Sequence, residues 1–411
     1  MKESRGGNFM IYPSLTDIRV GAPGRVILDL IKHSKHTFQA IAFQGPESMD
    51  LKEDLPSFVK LLRPGRLARF LVNLIQCVPS RFQKNLFYTV DRNFQELYIE
   101  MMLYVLRKRP KLCVVHVSFS LTWLIKWIVP SCRMIYYHHG SNLHLKLNQR
   151  LWTRLSKVTN GTIIGVSERG ILEVKRVFQV NDKRIQCIHN GIDRTWFNPE
   201  NVKGESDKIR EQIKLHAKTV FFFCGRISVS KGIIEVIQAF EKVRESYSDV
   251  FLLLIGGLEE SDKSESHKYL ASLINAHTEL GSQSFLITGK MERNMVAAWM
   301  NCGDVGILAS RKEYEGLSLF AIESLALGKP LIVANMGGNR EVVGDSCGFV
   351  VENDDSLADN LSKAMINLHV NKQLREQMSL NALERSRTEF DVKIMTAKFD
   401  NYLDETLKKV Q

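Results

Sequence analysis

Two cationic side chains follow an apolar run in the second half of the chain. Arg226 comes directly after the run at 220–224 and Gly225, and Lys231 follows five residues later, beside Gly232. An Arg behind a strand and a Lys at the start of a helix can both contact one diphosphate and stabilise its charge as it departs. A pair of loop charges at the surface is the alternative interpretation.

Two carboxylates lie near or in the predicted helix at 319–327: Glu315 lies before it and Glu323 lies within it. Glu323 stands in an almost wholly apolar segment, so its charge needs a partner, either a ribose diol or a buried Arg or Lys. Glu315 precedes residues 316–319, whose N–H groups can face a phosphate or a sugar at a helix N-terminus. The two acids could also form a glycosidase pair, but that interpretation leaves the two cations unexplained.

Histidines follow two apolar runs in the first half. His116 comes after the residues CVV, and His139 follows MIYY and His138 and precedes Gly140. A His at the end of a strand, beside a Gly that permits close approach, can contact a sugar hydroxyl. It can equally anchor the fold through a structural hydrogen bond.

The elements that must position these residues alternate between short apolar runs and amphipathic stretches. This alternation is typical of βαβ units in a parallel sheet, where ligands bind beyond the carboxyl ends of the strands. Strands are predicted at 9–12, 38–43, 112–117, 134–138, 161–166, 184–188, 220–224, 251–255, 285–288, 304–309 and 330–334. Helices are predicted at 232–247, 261–280, 292–302, 319–327 and 392–410.

The length of 411 residues exceeds what one core holds, so we expect two doubly wound α/β domains facing each other across a cleft. The polar stretch 198–218, with Pro and Gly, is predicted to be the linker between them.

The charge of the chain is asymmetric. Residues 1–200 carry 30 Lys and Arg against 15 Asp and Glu, whereas the remaining residues carry 26 against 30. This favours an anionic partner for the first half, such as a phospholipid surface, a phosphorylated acceptor or nucleic acid, over a merely solvated basic face.

Composition indicates the compartment. The seven Cys have no CxxC or metal-ligand spacing, which is typical of reduced thiols in a cytosolic protein. The chain has neither a signal-peptide core nor an uncharged apolar run long enough for a transmembrane helix, so we expect it not to be exported.

Together the motifs resemble the retaining family-4 glycosyltransferases of GT-B fold, from about Val20 to the C-terminal helix. In the first half the resemblance depends on His139-Gly140, Val166-Ser167-Glu168 and Asn190-Gly191-Ile192-Asp193. In the second half it depends on Gly225-Arg226 with Lys231-Gly232, on Glu315 and Glu323 followed by Ser-Leu-Ala-Leu-Gly-Lys-Pro, and on Gly337-Gly338 with Glu341. It implies a Rossmann-like acceptor domain at 1–200, a Rossmann-like nucleotide-sugar domain at 201–390, and a helix at 391–411 that crosses back to the first domain.

The resemblance also implies roles for single residues. Arg226 and Lys231 would bind the donor diphosphate, Glu323 the ribose and Glu315 a sugar hydroxyl, while His139 would contact the sugar near the reacting carbon. The catalytic residues implied are His139, Arg226, Lys231 and Glu315. The donor-binding residues implied are Gly225, Arg226, Lys231, Lys290, Met291, Glu315, Gly316, Leu317, Ser318, Leu319 and Glu323. The acceptor and phosphate loop would contain Gly21, Gly24, His116 and Asn190, although Ala22-Pro23 separates glycines that are adjacent in the family.

The reaction implied is transfer of a sugar, with retention, from a UDP-sugar or, as the second choice, a GDP-sugar. The acceptor would be a glycan or a lipid-linked molecule in cell-surface polysaccharide or lipopolysaccharide assembly. No cofactor and no metal are expected, since the chain has no DxD triplet. In the family the leaving phosphate oxygen is proposed to accept the acceptor proton, although His116 or His139 could act as the base.

Three alternatives stay open. A nucleotide-sugar 2-epimerase or a phosphorylase would use a similar cleft in the same fold. A non-catalytic nucleic-acid-binding protein would explain the basic charge, but it has no need for the motifs above, so no nucleic-acid partner is expected.

The composition of the segment 60–112 is relevant to where the acceptor is located. Arg63, Arg66, Arg69, Arg81 and Lys84 alternate there with Leu, Phe, Val and Ile. Such a basic amphipathic segment can lie on an anionic membrane, or its apolar side can pack on its own domain. We expect a cytoplasmic protein attached peripherally to the cytoplasmic face of a membrane.

Overall fold

A computed structural model describes residues 6–14, 18–19, 21–43, 55–76, 92–140, 162–178, 184–215, 218–259, 262–279, 284–311 and 316–408. Contacts divide the chain into two compact units. Unit 1 consists of Met1–Ile188 and Met395–Gln411, and unit 2 of His189–Ile394.

Unit 1 is built on a parallel β-sheet. Its strands are β1 (Asn8–Tyr12), β2 (Gln39–Phe43), β3 (Val59–Leu62), β4 (Leu112–His116), β5 (Arg133–His138), β6 (Thr162–Gly165) and β7 (Ile185–Cys187). Its helices are α1 (Ala22–His33), α2 (Arg66–Gln76), α3 (Arg92–Lys108), α4 (Phe119–Ile128) and α5 (Glu168–Phe178). The strand order is β3-β2-β1-β4-β5-β6-β7. Successive strands are added outward from β1 on one side and from β4 on the other, so the strand order reverses between these two strands, as in a doubly wound fold.

The layers of unit 1 follow from its apolar side chains. Helices α3 and α4 bury Met101 and Leu121 in one core with Phe9 and Val115 of the sheet. Helix α2 packs outside this layer, where its Val72 and Ala68 contact Ile99 of α3. Among the described residues of the unit, those that pack on α2 therefore cover one of its sides.

Unit 2 has the same architecture. Its strands are β8 (Thr219–Cys224), β9 (Val250–Ile255), β10 (Phe285–Ile287), β11 (Val305–Leu308), β12 (Leu331–Ala334) and β13 (Gly348–Val351). Its helices are α6 (Pro199–Gln212), α7 (Ile233–Arg244), α8 (Glu265–Glu279), α9 (Arg293–Asn301), α10 (Leu319–Ala326), α11 (Asn339–Val343), α12 (Leu357–Val370) and α13 (Lys372–Thr388). The order β10-β9-β8-β11-β12-β13 reverses between β8 and β11.

Both sheets confirm the predicted α/β class with two doubly wound parallel-sheet domains. Every pairing between the described strands is parallel. The strands β4, β9 and β11 are buried over their whole length, which explains why the interior strands have nearly continuous apolar sequences.

The predicted linker at 198–218 is wrong, because most of it is the helix α6. Asn198 accepts a hydrogen bond from the N–H of Glu200, and Pro199 occupies the first turn. A capping Asn followed by Pro is a helix start signal, and the polar composition obscured it.

The contacts separate the two units after Ile188, whereas the family resemblance implied a boundary at residue 200. Residues just beyond Ile188 belong with unit 2 because the N–H of Ile192 donates to the carbonyl of Phe390 at 2.9 Å. Asn190 also contacts a unit 2 loop, as described below.

The last helix, α14 (Val392–Lys408), lies in unit 1 from Met395 onward. Its Asp400 accepts hydrogen bonds from the Ser34 hydroxyl at 2.5 Å and the Lys35 N–H at 3.0 Å. Within the described ranges, the helices are too short or too polar to span a bilayer.

Candidate functional site

Three glycines with positive φ lie at the carboxyl ends of adjacent strands in unit 2. Gly225, Gly256 and Gly289 follow β8, β9 and β10 with φ of 148°, 136° and 73°. The N–H of Gly225 donates to Ile255 O at 2.9 Å, and Gly256 pairs with Gly289 in an isolated bridge. A Cβ on Gly256 would lie 2.0 Å from Gly225 O, so only glycine permits this backbone approach. At these three positions the edge therefore consists of backbone without side chains.

Arg226 projects from this edge. Its side chain is 59% exposed and its Nη1 lies 2.8 Å from Oε1 of Glu259, which is 18% exposed. The N–H of Glu259 donates to Ile227 O at 2.9 Å, so the backbone next to Arg226 holds its ion-pair partner. A guanidinium held in this way keeps free donors for an anion.

The loop after β8 meets the loop after β11, at the reversal of strand order. Gly232 has φ of 69°, and a Cβ there would lie 2.0 Å from Ala309 O. The N–H of Arg311 donates to Ser230 O at 3.1 Å. Lys231 is therefore held between two contacts with 309–311, the segment that leads towards Glu315. Glu315 itself lies outside the described residues.

The start of helix α10 is buried and anchored by backbone bonds. The N–H of Gly338 donates to Gly316 O at 2.7 Å, and Asn190 Nδ2 donates to Leu317 O at 3.0 Å. Ser318 and Leu319 are 8% and 7% exposed. Within the described ranges the side chain of Ser318 forms no capping bond, so it does not satisfy the first N–H groups of this eight-residue helix, as an anion site requires.

Glu323, Lys290 and Met291 complete the predicted donor set. Glu323 on α10 is 4% exposed and takes part in a polar interaction, as its apolar surroundings require. Lys290 is exposed, and its side chain lies against Gly257. The structure thus places every described member of this set at or beside the carboxyl edge of one sheet.

In unit 1 the two predicted histidines form a pair. Nδ1 of His116 lies 2.8 Å from Nε2 of His139. Both rings stack on Tyr137, with centroids 4.8 Å away in each case. Burial lowers the pKa of His139 to about 3, with a further contribution from His138. Burial and then His139 lower the pKa of His116 well below its ordinary value, so both rings are neutral at physiological pH.

The backbone after His116 is strained. Val117 has φ of 57°, a left-handed conformation that costs a β-branched residue on the order of 1–3 kcal/mol. The turn is closed by the N–H of Ser118, which donates to His116 O at 2.8 Å. This strain lies at the reversal of strand order in unit 1.

The predicted glycine loop is the start of a helix from its second residue onward, and its role towards a phosphate or an acceptor stays a prediction. Gly21 caps helix α1, and Ala22 to Arg25 form its first turn, with the Arg25 N–H donating to Gly21 O at 3.0 Å. Gly24 is buried, and a Cβ at this position would lie 2.1 Å from Ile18 O. This close packing requires a glycine at position 24 whether or not a ligand binds there.

Asn190 also differs from its predicted place. It was grouped with Gly21, Gly24 and His116 of unit 1, but it lies in unit 2, 3% exposed, against the loop before α10. Sequence reasoning missed the contacts of Glu259 with Arg226 and of Asn190 with Leu317, because neither follows from local spacing.

The basic segment 60–112 folds into β3, α2 and α3, and residues 77–91, with Arg81 and Lys84, lie outside the described ranges. The outer face of α2 exposes an apolar stripe: Leu67, Phe70 and Leu74 are 55%, 58% and 51% exposed. Arg63 and Arg66 are exposed beside it. We call these five residues the α2 stripe.

Comparison with known proteins gives a match for the second unit. Residues 205–385 match the family model described as "Glycosyl transferases group 1". Among curated proteins, the chain is 27% identical over 190 residues to a lipopolysaccharide 1,2-N-acetylglucosaminetransferase of Salmonella typhimurium, covering 45% of this chain and 49% of that one. It is 27% identical over 223 residues to the capsular polysaccharide biosynthesis glycosyltransferase CapM of Staphylococcus aureus, covering 54% of each. The chain spans about half the length of these curated relatives.

Solved structures extend the likeness to the whole fold. Anabaena Alr3699/HepE in complex with UDP and glucose superposes with a TM-score of 0.73 at 16% identity, over 98% of this chain and 100% of that one. A glycosyltransferase from Rickettsia africae gives a TM-score of 0.75 at 17% identity, over 98% and 99%. At these identities the likeness establishes a GT-B fold.

Proposed function

We propose that the chain, which matches the group 1 glycosyl transferases over residues 205–385, transfers a sugar from a nucleotide diphosphate sugar to a glycan or lipid-linked acceptor. The nucleotide is UDP in preference to GDP. The setting is cell-surface polysaccharide or lipopolysaccharide assembly, as the names of the Salmonella and Staphylococcus relatives suggest. The UDP held by Anabaena HepE supports the choice of base.

One observation carries the proposal. In unit 2 the loops after β8 and β11 contact each other at the reversal of strand order, through Gly232 with Ala309 and Ser230 with Arg311. This is where doubly wound sheets bind nucleotides. Arg226, Lys231 and the uncapped start of α10 supply positive charge and N–H donors at that point.

Transfer then proceeds without a metal. The bond between the anomeric carbon and the diphosphate oxygen breaks, and Arg226 and Lys231 stabilise the negative charge that develops on the departing diphosphate. The acceptor hydroxyl bonds to the same face of the anomeric carbon, which gives retention. Its proton passes to the leaving phosphate oxygen, so no side-chain base is needed.

Ligand binding gives the first test. We expect UDP and UDP-sugars to raise the melting temperature, and a ligand at 100 times its Kd stabilises by about 2.7 kcal/mol. Incubating the UDP-sugar without an acceptor should leave the sugar configuration unchanged. Epimerised product would instead indicate a 2-epimerase, and stabilisation by mixed-sequence DNA alone would contradict the proposal.

Substitution of the cations gives the second test. Arg226→Gln and Lys231→Gln should each lower kcat by about 10²–10³, since each removes a donor from the charge that develops in the transition state. Arg244→Gln is the matched control, because Arg244 lies exposed at the end of α7. Activity that resists EDTA is expected. Unchanged turnover in both Gln variants would refute the assignment.

We also propose that unit 1 binds an anionic bilayer through the α2 stripe. The inner side of α2 is occupied by α3, while Leu67, Phe70 and Leu74 occupy positions i, i+3 and i+7 on the outer side. Burying the exposed half of these three side chains contributes on the order of 3 kcal/mol. Arg63 and Arg66 add about 1 kcal/mol each near anionic lipid. The sum is enough for reversible, peripheral attachment at the cytoplasmic face.

Vesicle co-sedimentation tests the membrane proposal. Native chain should bind phosphatidylglycerol vesicles more than phosphatidylcholine vesicles, and salt should weaken the binding. Phe70→Gln with Leu67→Gln should abolish it. Leu380→Gln is the matched control, since Leu380 is 63% exposed but lies on α13 of unit 2. Equal binding by all variants, or a dimer that these substitutions dissociate, would refute it.

A further inference from the structure

The neighbourhood of His139 contains a buried polar group that the proposed reaction does not use. His116 is 0% exposed, and its Nδ1 bonds Nε2 of His139 at 2.8 Å. Within the described part of the chain, its other nitrogen, Nε2, is buried with no hydrogen-bond partner. Tyr137 fixes both rings by stacking, with interplanar angles of 12° and 16°.

The proton count in this pair follows from its burial. Each ring is neutral and carries one proton, so exchange between the rings leaves two arrangements of their shared hydrogen bond. In the first, His116 Nδ1–H donates, His116 Nε2 is a bare acceptor and His139 carries its proton on Nδ1. In the second, His139 Nε2–H donates, and His116 must carry an N–H on its buried, unpartnered Nε2.

The first arrangement is favoured. An orphaned buried N–H is rarer than an under-satisfied acceptor, and an unpartnered buried donor loses its full hydration, about 1–3 kcal/mol. His139 then presents Nδ1–H, which donates a hydrogen bond and cannot accept a proton. The strained turn at Val117 indicates that the backbone beside His116 is held in one conformation by its surroundings.

We propose that His116 is a positioning residue that fixes His139 in its Nδ1–H tautomer, so that His139 serves as a hydrogen-bond donor to a sugar hydroxyl and not as the base. The part of this inference that concerns the sugar rests on the proposed function. The tautomer itself does not depend on it.

Nitrogen NMR tests the tautomer without any substrate. The full chain is labelled with ¹⁵N-histidine, and the His139 signals are assigned as those lost in His139→Asn. We expect a protonated Nδ1 and a bare Nε2. In His116→Phe, which keeps a ring for the stack but has no donor, the signals should shift towards a mixture of tautomers. A protonated Nε2 in the native chain, or an unchanged pattern in His116→Phe, would overturn the inference.

Kinetics test the consequence. Loss of one correctly placed donor should lower kcat about tenfold in His116→Phe, with KM for the nucleotide sugar nearly unchanged. His116→Asn, whose amide N–H can replace the Nδ1–H, should recover both the tautomer and most of kcat. Equal loss in both variants would show a merely structural role. If the native chain transfers no sugar at all, the proposed function fails while the NMR result still decides the tautomer.

Discussion

The neutral state of His139 makes the stability of unit 1 depend on pH. A histidine in the unfolded chain has an ordinary pKa of about 6.5, whereas burial lowers that of folded His139 to about 3. Between about pH 3 and about pH 6.5, His139 is therefore mostly protonated in the unfolded chain but mostly neutral in the folded chain. The free energy of unfolding must therefore fall as pH decreases from about 6.5 towards 3.

The size of the effect follows from these two pKa values. From pH 7.5 to pH 5.0 the two-state titration of one such histidine removes about 2 kcal/mol. This is an upper value because His139 is partly exposed. His139→Asn removes the titration together with a hydrogen bond and a ring stack. The variant should be less stable than the native chain at pH 7.5 and recover up to about 2 kcal/mol of that difference at pH 5.0.

Urea denaturation at both pH values measures this difference. Hydrogen exchange of peptides from β4 and β5 reports unit 1 separately, which is needed because two-domain chains need not unfold in one step. His277→Asn is the control: His277 pairs with Glu241 at 3.0 Å in unit 2, so the transition of unit 1 should not change. Parallel pH dependence in the native chain and His139→Asn would refute the reasoning.

Two further predictions concern the backbone of the candidate site in unit 2. Gly232→Ala should lower its melting temperature sharply, because the new Cβ would lie 2.0 Å from Ala309 O in a left-handed backbone. Gly204→Ala is the matched control, with nothing within 4 Å of the new Cβ; in α6 it should stabilise by about 1 kcal/mol. Asn190→Ala removes the buried bond to Leu317 O and should cost about 1–3 kcal/mol, with raised KM for the nucleotide sugar. Unchanged KM would show that Asn190 does not position the loop before α10.

The sequence predicted the interior of both sheets well. Strands such as β8 and β9 are buried on both faces, so their residues must be apolar throughout. The strands that it missed, β3 and β13, are edge strands with half-buried residues. The polar helix α6 was missed for the same reason, since exposed elements need no apolar periodicity.

The candidate site could be predicted only where its residues are close in sequence. Arg226 and Lys231 come from one loop, and the structure keeps them at one edge of the sheet. The pairing of Arg226 with Glu259 joins residues 33 apart, and that of Asn190 with Leu317 joins residues 127 apart. Contacts of this kind depend on strand order, which hydrophobic periodicity does not encode.

In each unit, a loop at the reversal of strand order contains a residue with a left-handed backbone, but the residue type differs between the units. In unit 2 the left-handed residue at this point is Gly232, for which φ of 69° is unstrained. In unit 1 it is Val117, for which φ of 57° is strained. A Gly at 117 would relieve the strain but would also enlarge the freedom of the unfolded chain and loosen the turn that carries His116. If the strained turn serves to hold His116 against His139, Val117→Gly should leave the fold intact and yet broaden the His139 nitrogen signals. Relief of strain without any change in those signals would assign Val117 to packing alone.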